Sequence, residues 1–79
     1  MKKTNEDRII RVTELAESHY GTGEVKFVGI KYEPFTKNFT AKLKLNSFSS
    51  IYESASTAES AIKKLKNRLK KIIRRYNEV

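Results

Sequence analysis

The 79-residue chain carries 17 Lys/Arg against 9 Asp/Glu, a formal net charge of +8, and no cysteine. A chain of this length holds one domain with one modest core, because it buries only about 60% of the surface its unfolded form exposes. The lack of cysteine excludes a disulfide or thiolate metal site, so packing alone must hold the fold, as suits a reducing, cytoplasmic compartment. No apolar run approaches the roughly 18 residues of a membrane span, and no apolar segment follows Lys2-Lys3 as an export signal requires, so neither membrane insertion nor export by that route is expected.

Ile9, Val12 and Ala16 recur at three- and four-residue spacing, with Ile10 and Leu15 on the flanks, and predict a first helix from about Asn5 to His19. Thr4 or Asn5 can cap it, Glu6 and Asp7 suit the positive end of its dipole, and Gly21 reads as its stop. Gly21-Thr22-Gly23 is then a turn. A phosphate loop needs a strand before its glycines and a helix after them, and here the order is reversed. Val25, Phe27, Val28, Ile30 and Tyr32 predict a strand whose alternation slips by one residue near Gly29, as a bulge there would produce. After the loop Glu33-Pro34-Phe35-Thr36-Lys37-Asn38, the residues Phe39, Ala41, Leu43 and Leu45 alternate with Thr40, Lys42 and Lys44 in a second strand. Residues Phe48 to Glu53 form a third, shorter strand in this reading, although Ser47, Ser49 and Ser50 dilute its pattern.

The last helix is predicted from Thr57 to about Asn77. Ala58, Ile62, Leu65, Leu69, Ile72 and Tyr76 step by four and three, with Ala61 and Ile73 alongside. Ser56-Thr57-Ala58-Glu59 has capping-box form, with the serine as cap. The apolar stripe admits packing on the sheet, a coiled coil with a second chain, or insertion into a membrane surface. The alternating strand needs a helix over its apolar face, which favours the sheet, and the residues Ile62, Leu65, Leu69 and Ile72 are expected against Phe39, Ala41, Leu43 and Leu45. The fold class is therefore α+β: a single small domain of order α-β-β-(β)-α, with an antiparallel sheet and both helices on one face.

Charge is concentrated at one end. Residues 1 to 62 hold nine Lys/Arg and eight Asp/Glu, whereas residues 63 to 79 hold eight Lys/Arg and Glu78 alone. Basic residues lie four apart at Lys64 and Arg68, Lys66 and Lys70, Lys70 and Arg74, and Lys71 and Arg75, and each such pair costs the helix roughly 0.2–0.5 kcal/mol. An ordinary solvated face mixes signs and avoids that cost. Once the stripe is buried, Lys63, Lys64, Arg68, Lys71, Arg74 and Arg75 are expected to form a positive ridge that binds nucleic acid, DNA or RNA, or docks on an acidic protein surface. Lys42 and Lys44 on the open strand face, and Phe35 in the loop, are secondary candidates, Phe35 as a stacking platform.

Catalysis has little to draw on. His19 is the one histidine, expected at the surface or capping the first helix, and Glu14, Glu17, Glu24, Glu33 and Glu53 are scattered without ligand spacing. A binding protein, with no enzymatic activity and no cofactor or metal, is expected.

The order helix, three strands, helix resembles the double-stranded-RNA-binding domain over most of the chain, which implies both helices on one sheet face. That family contacts phosphates through a Ser-Lys-Lys-x-Ala pattern opening its second helix. The matching stretch here is Thr57-Ala58-Glu59-Ser60-Ala61, which keeps the alanine without the lysines, and the loop Glu33-Pro34-Phe35-Thr36-Lys37 lacks the family's histidine; no functional residue carries over. Residues Phe39 to Leu69 also look like the strand-then-helix units of HicB antitoxins, with Ala55-Ser56-Thr57-Ala58-Glu59-Ser60-Ala61 in place of Gly-x-Thr-x-Glu-Glu-Ala. In style the chain is similar to small basic phage and mobile-element proteins, including inhibitors of host nucleases such as anti-CRISPR proteins. That likeness implies the alternative of an interaction protein docking its basic helix on a host nucleoprotein.

Overall fold

The computed structural model describes residues 4–77. Its elements follow in the order α1 (Asn5–Tyr20), β1 (Lys26–Glu33), β2 (Asn38–Asn46), β3 (Ser49–Ala55) and α2 (Ala58–Asn77). Thr4, rather than Asn5, caps α1: its hydroxyl accepts from the Asp7 amide at 3.1 Å, and the Asp7 carboxylate accepts from the Thr4 amide at 3.3 Å. Two of the amides that a helix start leaves without partners are thereby satisfied. The helix stops at Gly21, which takes φ 92° and donates its amide to the Glu17 carbonyl at 2.8 Å. A residue with a Cβ is strained in that conformation.

The sheet is antiparallel in the order β1-β2-β3. The expected slip in β1 is a register shift between Phe27 and Gly29, where Gly29 takes φ 152°. The third strand is longer than the sequence pattern implied and starts one residue later. Asn46 accepts the Phe48 amide on its side-chain oxygen at 2.8 Å, which fixes Ser47-Phe48 as the turn into β3. Of the serines that blurred the pattern, Ser47 lies in that turn, Ser49 is the exposed first residue of β3, and Ser50 sits on the solvent face, which alternates with the buried Ile51 and Ala55.

Both helices pack on one face of this sheet. Ala41, Leu43 and Leu45 of β2 are buried beneath Ile62, Leu65 and Leu69 of α2, with Val12 and Ala16 of α1 closing the core on its other side. Phe39 and Ile72, at the two margins, are only partly buried. The helices run side by side in the same direction: Arg8 meets Glu59 near their starts at 2.8 Å, and the His19 ring meets the Tyr76 ring edge-on near their ends, centroids 4.9 Å apart. His19 therefore sits half-buried in the seam between the helices, where a surface or capping position was expected.

The entry to α2 differs from the expected capping box. Thr57, not Ser56, supplies the cap, its hydroxyl accepting from the Ser60 amide at 3.1 Å. The Glu59 carboxylate bridges Arg8 at 2.8 Å and Lys63 at 3.2 Å and so ties the two helices together. Among the described residues no helix is long and apolar enough to cross a membrane.

Candidate functional site

The buried stripe of α2 sets where its cations point. Residues 61, 62, 65 and 69 face the core, so at 3.6 residues per turn the remaining positions divide into a flank over β3, an outward crest and a flank toward α1. The β3 flank carries Lys64, Arg68 and Arg75, the crest Lys63, Asn67, Lys71 and Arg74, and the α1 flank Lys66 and Lys70.

Two residues expected on a free ridge are held by the fold. Arg68 donates to the Tyr52 carbonyl at 3.1 Å and to the Glu53 carboxylate at 3.0 Å, and the Lys64 ammonium donates to the Ser54 carbonyl at 3.2 Å. These carbonyls lie on the outer edge of β3, the last strand of the sheet. An open strand edge is a template for pairing with other chains, and long cationic side chains laid along it block that use. Lys63 is partly engaged as well, through Glu59. The other half of the helix is different: Lys70, Lys71, Arg74 and Arg75 are exposed and make no ion pair or hydrogen bond among the described residues.

The structure also gathers cations that the charge pattern of α2 alone did not point to. Arg8 and Arg11 of α1 line a cleft between the helices together with Lys63 and Lys66 of α2, with Ile62 at its base. The three-residue spacing of Arg8 and Arg11 was visible in the sequence, but the flank of α2 on which α1 lies was not. A shallower depression formed by Lys64, Asn67, Arg68 and Lys71 has Glu53 as its one acid.

The secondary candidates lie elsewhere. Lys42 and Lys44 are exposed on the sheet face turned away from the helices. Phe35 is 99% exposed in the loop joining β1 to β2, at the end of the sheet where β3 leads into α2 and therefore remote from Lys70 to Arg75. An equally bare aromatic, Phe48, marks the opposite end. Among the described residues no three His, Asp or Glu side chains come together as metal ligands would. No family model, curated protein or solved structure matches the chain.

Proposed function

We propose that this chain is a non-enzymatic nucleic-acid-binding module that grips phosphates, without sequence preference, through the outward surface of α2. The observation that carries this reading is the set Lys70, Lys71, Arg74 and Arg75: four exposed cations within six residues, with no acid partner among the described residues. Lys70 with Arg74 and Lys71 with Arg75 are like-charge pairs four residues apart, each costing roughly 0.2–0.5 kcal/mol in the free protein. Phosphates remove that repulsion, and release of their condensed counterions drives association. Lys63 extends the crest toward the helix start. Lys64 and Arg68, expected on the ridge itself, lie beside the crest, and their bonds to β3 give them a share in holding the fold. A cytoplasmic setting, where nucleic acid is at hand, accompanies this reading.

The test is binding of a mixed-sequence DNA duplex over a series of salt concentrations. Engagement of four phosphates gives a slope of log affinity against log salt of about −3.6, from about −0.9 per phosphate neutralised. Replacing Lys70 and Lys71 together by glutamate should bring the slope down to about −1.8 and weaken binding to every sequence alike. Undetectable duplex binding by the parent at low salt would overturn the reading.

A further inference from the structure

Gly29, Lys42 and Tyr52 lie side by side across the three strands on the face turned away from the helices. The next row on one side is Lys26, Lys44 and Ser50, and on the other Lys31, Thr40 and Ser54. Rows on one face of a sheet repeat every second residue, about 7 Å apart, and strands lie about 4.8 Å apart, so these side chains form one continuous surface. It carries four lysines, Lys26, Lys31, Lys42 and Lys44, all exposed, against Glu33 as the one acid of the strands on this face. Glu53, the other strand acid near it, points to the helix side, where Arg68 binds it.

The centre of this surface is hollow. Gly29 contributes no side chain, and no atom beyond Gly29 and its two chain neighbours lies within 4 Å of where its Cβ would be. The depression so formed is about 570 Å³, walled by Val28, Lys31 and Glu33 on one side and Tyr52 on the other, with Lys42 between them. That lies inside the range of about 300–1,000 Å³ typical of sites that take small organic groups. Tyr52 is 61% exposed, and the Arg68 bond to its carbonyl anchors the strand beneath it from the helix side. The Thr40 and Ser54 hydroxyls are bonded to each other at 2.7 Å in the adjoining row.

We propose that this face is a second binding surface, for single-stranded nucleic acid: one base stacks on Tyr52 over the Gly29 hollow while Lys26, Lys31, Lys42 and Lys44 take the flanking phosphates. An aromatic ring set in a cationic surface is how proteins hold unpaired bases, whose faces are free only outside a duplex. A second copy of this chain is disfavoured as occupant, since it would set four lysines against four. None of Lys70, Lys71, Arg74 and Arg75 contributes to this face, so single-strand binding there stands or falls separately from duplex binding.

The experiment compares a fluorescein-labelled single strand of ten thymidines with a mixed-sequence duplex, by fluorescence anisotropy at low salt, on the full chain. Tyr52→Ala should weaken single-strand binding by about 5- to 100-fold, the cost of one lost base stack, and leave duplex binding unchanged. Tyr52→Phe should bind the single strand as the parent does, because it keeps the ring. Circular dichroism melting shows whether the variants remain folded, as the exposure of Tyr52 leads one to expect. Equal single-strand affinity of parent and Tyr52→Ala, or an equal loss on both probes, would overturn the proposal while leaving duplex binding by α2 intact. No single-strand binding by the parent overturns it also, and a face that takes only an acidic protein would give that result. Tyr52-dependent single-strand binding with no duplex binding would support the sheet face and sink the α2 reading instead.

Discussion

At the scale of single residues, the side chains of greatest consequence are those that serve two elements at once. Arg68 was expected on a free ridge, where reversing its charge would relieve repulsion at no cost to stability. Its bonds to the Tyr52 carbonyl and the Glu53 carboxylate change that expectation. The pair is partly exposed, with 47% of the Arg68 side chain open to solvent, so solvent screening keeps its contribution small. Arg68→Ala should lower stability by about 0.5–1 kcal/mol, and Lys71→Ala, which removes no bond, by nothing measurable; urea denaturation of the two variants checks this. The helix caps give a second contrast. Thr57→Ala should cost about 1 kcal/mol because it leaves the Ser60 amide without its acceptor, whereas Ser56→Ala should be close to neutral. Equal costs at the two positions in the same denaturation experiment would contradict the assignment of Thr57 as cap. The sequence allows either residue, since both carry a hydroxyl, and the choice is made by where the chain leaves β3.

At the scale of elements, α2 combines two faces with opposite requirements. Leu65 and Leu69 are fully buried and fix the helix on the sheet. Leu65→Ala should destabilise the protein by about 2–5 kcal/mol, measured by chemical denaturation, and a variant that melts like the parent would contradict this packing. On the outer face, the Lys70→Glu/Lys71→Glu double variant sets Glu ahead of Arg74 and Arg75 at four-residue spacing, the favourable orientation for an ion pair on a helix. Its melting temperature should equal or exceed the parent's even as nucleic-acid binding falls. The course of α2 and β2 was legible, though not the α2 cap, because their apolar residues keep a regular period over 20 and nine residues. The third strand was harder to bound, because a strand with one face in water alternates Ile51 and Ala55 with serines and a tyrosine, and such short polar positions carry little period. The bulge at Gly29 could be anticipated because a one-residue slip moves every later side chain to the opposite face.

At the scale of the whole molecule, two helices cover one face of a three-stranded sheet and leave the other open, so the excess charge is presented on two opposed surfaces. One is the crest of α2; the other is the lysine-bordered hollow around Gly29, Lys42 and Tyr52. The first could be traced from a run of cations along one segment. Of the second, only Lys42 and Lys44 could be read, as residues of one strand's open face; Lys26, Lys31 and Tyr52 come from the other two strands and only the register sets them beside that pair. The same limit hid the cleft of Arg8 and Arg11 with Lys63 and Lys66, which depends on how α1 lies against α2. Lys64 and Arg68 were expected on the free ridge, and their engagement with the edge of β3 could be seen only once α2 was placed on the sheet. Whether the exposed cations of α2 bind nucleic acid is decided by the salt dependence of duplex binding for the parent and the Lys70→Glu/Lys71→Glu variant. The expected slope is about −3.6 for the parent and about −1.8 for the variant, with both proteins equally folded; identical slopes, or no duplex binding by the parent at low salt, would overturn phosphate binding by α2.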